Sequence, residues 1–109
     1  MSKGDLLENT KKLSVFGNAS QPETEIKINP NDALDIGLTK TKHFFRIKMN
    51  LEIENAMLTN SEDMNGCIFL DNNCKSGTVE FGLKLWKRIG KPSHVILVHN
   101  EAEIFILNR

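Results

Sequence analysis

KSGTVEFGLKLWKRIGKP, residues 75–92, is the most structured-looking stretch of this 109-residue chain and holds its densest cluster of positive charge. Read at helical spacing from about Val79 to Ile89, it yields two apolar stripes. Val79, Leu83 and Trp86 follow i, i+4, i+7, and Phe81 and Leu85 flank them at i, i+4. Glu80 precedes Lys84 by four residues, the favourable ion-pair order. Gly90 supplies a stop and Pro92 prevents a restart, while the basic end complements the negative pole of the helix. The remaining face carries Lys84, Lys87, Arg88 and Lys91. Two readings follow for these cations. They are the solvated side of a half-buried helix, or they contact phosphates or an acidic partner.

The stretch leads into SHVILVHNEAEIFILNR, residues 93–109, where two nearly continuous apolar runs flank a polar HNEA. This predicts an antiparallel hairpin. Its arms are expected to be covered on both faces, by a central sheet position or by a second chain. Upstream, HFFRIKMNLEIEN, residues 43–55, has Phe45, Ile47, Met49, Leu51 and Ile53 on odd positions. Phe44, Arg46, Lys48, Asn50, Glu52 and Glu54 occupy the even ones. Strict period two predicts one long amphipathic strand with a buried and a wet face. The wet row Phe44, Arg46, Lys48 suits an edge strand whose charges discourage stray pairing. It equally suits a partner surface with an aromatic and an arginine as anchors.

Polar residues 59–66 read as a loop ending in an Asn65-Gly66 turn, followed by a short strand in CIFLD and a turn in NNCKSG. TEIKI, residues 24–28, predicts a short strand. In NPNDALDIGL, Asn29 suits a cap, Pro30 a first helical position, Asp32 the positive helix end and Gly37 an exit, so one or two helical turns are expected. Before that, Leu6, Leu7, Thr10 and Leu13 share one face of a short helix that Gly17 ends, and NASQPETE reads as a linker. The expected organisation is a mobile or weakly helical segment over 1–23 and a single α+β domain over 24–109. That domain is mainly antiparallel sheet, with one helix near 79–89 and a C-terminal β-hairpin.

Bulk properties narrow the function classes. With 14 basic and 14 acidic residues the chain has no global field to draw it onto nucleic acid or an anionic membrane. No apolar run approaches a membrane span, and the N-terminal residues lack the apolar core of a signal peptide, so the expected location is cytoplasmic. Cys67 and Cys74, seven apart, then read as reduced, buried thiols and not as zinc ligands. His43, His94 and His99 read as surface or strand-end residues, and the spacing of the last two sends them to opposite faces of a strand. No GxGxxG, P-loop, GxSxG or HExxH motif occurs, so no enzyme, cofactor or metal is expected.

Residues 75–108 are similar to the AbrB/SpoVT-type swapped-hairpin DNA-binding module. The resemblance is carried by a glycine-containing strand, a short helix, a Gly-Lys-Pro turn and a last hairpin. It places a strand at Gly77–Phe81, a helix at Leu83–Ile89, a turn at Gly90–Pro92 and the hairpin at 95–107. The family's helix-opening proline is replaced by Phe81-Gly82, and its usual glycine turn by NEAE. The resemblance implies an intertwined homodimer and DNA-binding regulation, as in repressors and antitoxins. The residues themselves point first to a small non-enzymatic protein acting through protein–protein contacts, of the adaptor, inhibitor, immunity or small phage protein kind. Its expected contact residues are Lys84, Lys87, Arg88, Lys91, Phe44, Arg46 and Lys48.

Overall fold

Two apolar periods meet at Gly82. Val79 and Phe81 alternate with polar neighbours, whereas Leu85 and Ile89 lie four apart. The computed structural model describes residues 8–54, 57–59 and 62–109, without side chains over 52–54 and 57–59. Its elements are β1 (Glu8–Asn9), β2 (Leu13–Asn18), β3 (Glu25–Ile28), α1 (Pro30–Leu34), β4 (Lys42–Met49), β5 (Glu52–Glu54) and β6 (Met57–Thr59). They continue with β7 (Glu62–Leu70), β8 (Thr78–Gly82), α2 (Leu83–Arg88), β9 (His94–Asn100) and β10 (Glu103–Asn108).

Seven strands close into a barrel in the order β9-β10-β4-β7-β3-β8-β2, with β2 pairing back onto β9. An odd ring cannot be antiparallel throughout, because strand direction must return to itself after one circuit. Here β10/β4, β3/β7 and β2/β8 are parallel and the other neighbours antiparallel. β5 and β6 form a separate pair, with Glu52 opposite Thr59. The fold is therefore a mostly-β closed barrel with mixed strand directions, and the expected α+β domain of mainly antiparallel sheet is incorrect.

The barrel interior is filled by alternating residues of every strand. Ile26 and Ile28, Ile47 and Met49, Val79 and Phe81, Val95 and Leu97, and Ile104 and Ile106 are all buried. α1 follows β3 and α2 follows β8, and because β3 and β8 are antiparallel the two short helices lie at opposite ends. At the α2 end, Leu85 and Ile89 are buried and the Trp86 indole N–H donates to the Pro92 carbonyl at 3.0 Å. At the α1 end, Ala33, Ile36 and Leu38 are buried, and the carboxylate of buried Asp32 accepts the Gly77 N–H at 2.7 Å. Asn29 caps α1 as expected, its side chain accepting the Asn31 N–H at 2.8 Å.

Several local expectations are corrected. The helix read over 79–89 starts only at Leu83, because Val79 and Phe81 point into the barrel from a strand. The strand and helix bounds drawn by the resemblance lie close to β8 and α2, a match of local structure alone. Thr10 and Leu13, expected on a helix, belong to an extended segment whose strands β1 and β2 both pair with β9. Leu6 and Leu7 lie outside the described residues. The 18–25 linker is packed and not free, since Gln21 is buried and its amide donates to the Glu25 and Glu80 carbonyls at 2.7 and 2.8 Å.

The long strand of 43–55 breaks after Met49, where Asn50 takes φ 53, a left-handed conformation that Asn tolerates. The side chain of Ile53 lies outside what the structure describes. Asn65-Gly66 is no turn. Both residues sit in β7, opposite Arg46 and Phe45. A Cβ at Gly66 would meet Ile47 Cδ1 at 2.6 Å and the Thr24 carbonyl oxygen at 2.7 Å, so glycine there permits close approach.

Between β1 and β2 the register against β9 shifts by one residue, from Asn9 opposite Val98 to Leu13 opposite Val95. Buried Thr10 manages the shift. Its N–H donates to the Leu97 carbonyl at 2.9 Å, and its hydroxyl accepts the Leu97 N–H at 3.1 Å. Thr10→Val keeps the shape but leaves that N–H without an acceptor, and should cost about 1–3 kcal/mol in urea denaturation while Thr10→Ser stays near wild type. Gly66→Ala should cost about 1–3 kcal/mol by overpacking against rigid backbone.

Candidate interaction surface

A barrel wall facing water requires polar outward residues at every second position. The β3–β8 wall obeys this, with Glu25, Lys27, Thr78 and Glu80 alternating with its buried residues. The β9–β10 wall does not. There the central outward positions are Ile96, Val98, Phe105 and Leu107, each half-buried, with Phe105 directly opposite Val98 and Leu107 opposite Ile96, and polar His94, Asn100 and Glu103 hold only the ends. The apolar runs predict cover on both faces of this hairpin, but among the described residues only the inward face is enclosed.

β10 lies beside β4, so the surface continues onto the row Phe44, Arg46, Lys48. An ionic cluster marks the junction. Lys48 Nζ lies 3.3 Å from Asp63 and 3.6 Å from Glu103, and Arg46 lies 3.6 Å from Asp63. Beyond it Phe44 stands 74% exposed. Phe44, Phe45, Arg46, Gly66, Cys67 and Ala102 are among the residues lining a shallow groove of about 550 Å³. Lys42 Nζ lies 4.8 Å from the Phe44 ring centre and 5.2 Å from that of Phe69, within cation–π range. The wall thus reads in sequence as apolar patch, ion cluster and aromatic groove.

The basic cluster lies elsewhere. Phe44 is near the start of β4, toward the α1 end, whereas Lys84, Lys87 and Arg88 belong to α2 at the other end. Arg88 is engaged with Glu23 at 3.6 Å and Glu62 at 3.5 Å. Lys91, at φ 55, forms the turn after α2 and donates its N–H to the Trp86 carbonyl at 2.9 Å. Lys84 and Lys87 are exposed beside the 19–23 loop and have no carboxylate partner among the described residues. The two groups of expected contact residues are therefore not one site.

Burial pushes the Cys67 thiol up, and Cys74 is pushed up to about 12, by burial first and then by the Glu80, Asp71 and Asp32 carboxylates. Thiols held protonated in this way are poor nucleophiles at neutral pH. His99 stands near the end of β9, as expected of a strand-end residue, and is half-buried. Its Nδ1 lies 2.8 Å from the Ile36 carbonyl oxygen and its Nε2 2.7 Å from that of Glu101, and its ring stands edge-on to Phe45 at 5.1 Å. Among the described residues no group of three His, Cys, Asp or Glu side chains is placed to hold a metal ion. No described helix is long and apolar enough to cross a membrane.

His43, stacked near Phe45, has its imidazole shifted below the usual value by burial, then by the nearby positive charge of Lys40 and by His99. Its Nε2 accepts the Lys40 N–H at 3.1 Å, which requires that nitrogen unprotonated. A lowered folded value means the contribution of His43 is complete above the ordinary 6.5 and is lost as pH falls through the folded value. Thermal melts between about pH 7.5 and 5 should show wild type losing stability over this window and His43→Asn losing less.

No protein-family model, curated protein or solved structure matches this chain significantly.

Proposed function

We propose that this chain is a small, non-enzymatic, cytoplasmic binding protein that works through protein–protein contacts, using the β9–β10–β4 wall as its contact face. The supporting observation is the apolar outward row Ile96, Val98, Phe105, Leu107 beside exposed Phe44, on a barrel whose β3–β8 wall is polar. A contiguous apolar patch rimmed by charge is the composition of a protein interface. An exposed phenylalanine with an adjacent arginine supplies the anchor such interfaces concentrate their energy in. The ion cluster between patch and groove adds orientation more than affinity, since partly exposed pairs contribute little net energy. An adaptor or an inhibitor of a larger protein fits this arrangement.

The alternative, a homodimeric DNA-binding regulator of the AbrB kind, draws on exposed Lys84 and Lys87 and on the resemblance of residues 75–108. The two readings separate in one set of assays. Partners retained by the immobilised wild-type chain from its native host should be lost with Phe44→Ala and with Val98→Lys, and Phe44→Ala should melt like wild type. Phe44→Ala should weaken a purified partner by about 2 kcal/mol, roughly thirtyfold. Random duplex DNA at low salt should give no gel shift. Unchanged partner binding by both variants would sink the wall reading, and a shift that fades steeply with salt would favour the DNA one.

A further inference from the structure

β10 is shorter than the strand it accompanies. It begins pairing with β4 at Arg46, so Lys42–Phe45 have β7 on one side and no paired strand on the other among the described residues. The direction of the backbone groups there is fixed by alternation. The Arg46 N–H donates to the Ala102 carbonyl at 3.0 Å, toward β10, and the Thr41 carbonyl accepts the Leu70 N–H at 2.9 Å, toward β7. Even-numbered residues therefore turn their N–H and C=O outward along this edge, and those of Lys42 and Phe44 have no backbone partner among the described residues. An edge of this kind is a template for a further strand.

Side chains on the two faces of the edge state what that strand should carry. On the outer face stand Lys42, Phe44 and Arg46, with Lys40 just before the strand. Neither Lys40 nor Lys42 has a carboxylate partner among the described residues, while Arg46 has Asp63 at 3.6 Å. On the inner face stand half-buried His43 and buried Phe45. An added strand would alternate in step with these neighbours.

We propose that the open edge of β4 binds an extended peptide segment of a partner protein by strand addition, with carboxylates alternating with apolar residues. The carboxylates face Lys42 and Arg46, the apolar residues pack on His43 and Phe45, and the backbone pairs with Lys42 and Phe44. This rests on the wall reading above and names the partner's chemistry at one margin of that wall.

The test uses the full chain and two capped hexapeptides, alternating Glu-Val and alternating Lys-Val. The acidic peptide should bind at least about tenfold more tightly, and more weakly as salt rises. In amide hydrogen exchange followed by NMR, Lys42 and Phe44 should exchange quickly in the free protein and become protected with the acidic peptide. The exposed-site variant Lys42→Glu should lose binding of the acidic peptide while melting like wild type. Equal binding of both peptides, or unprotected Lys42 and Phe44 amides with peptide bound, would overturn strand addition. So would amides already protected in the free protein, since the chain would then fill its own edge. If strand addition fails while Phe44→Ala still abolishes capture of the native partner, the wall reading stands without it.

Discussion

The barrel exists because β2 reaches β9. Leu13 and Ser14 lie opposite Val95 and His94, the Val15 N–H donates to the Ser93 carbonyl at 2.9 Å, and without this seam the seven strands would be an open sheet. The closure is reinforced just upstream, where the Thr10 hydroxyl stands in for a backbone carbonyl and absorbs the one-residue change of register. Everything enclosed by the ring then follows from alternation. The inward residues of the strands join one buried cluster, which Leu85 of α2 and Ile36 just after α1 cap at the two ends.

What was legible in the chain was whatever a single local period governs. Phe45, Ile47 and Met49 are inward as their alternation says, the C-terminal hairpin turns at Glu101 and Ala102, and Asn29 caps a one-turn helix. The failures occur where one residue type serves two geometries. Asn-Gly is a strong turn signal, but Gly66 is small because Ile47 and the Thr24 backbone leave no room. Val79 and Phe81 fit a helical stripe and a strand face equally well, and only the neighbours β2 and β3 select the strand. Parallel pairing, which sets the fold class, joins residues far apart in the chain and leaves no local trace.

The candidate surface divides in the same way. The row Phe44, Arg46, Lys48 was readable because period two separates wet from dry positions. The outward role of Ile96, Val98, Phe105 and Leu107 was not, since a nearly continuous apolar run looks the same whether its second face meets a layer of protein or solvent. The basic residues of α2 illustrate the opposite limit. Their clustering in sequence is real, but Arg88 is drawn onto Glu23 and Glu62 by neighbours that the chain places far away.

The ring also fixes an order of events during synthesis. β2 has two neighbours, β8 and β9, and the hydrogen bond from Asn18 to Glu80 already spans 62 residues, that from Leu97 to Thr10 87. An N-terminal strand emerging from the ribosome therefore waits for most of the chain before its apolar face has anywhere to go. Barrels built from such distant pairings fold slowly and expose sticky edges while they do so. For this chain the vulnerable moment is the interval before the last hairpin appears, and a truncation within β9 would leave the earliest strand without the neighbour that closes the barrel.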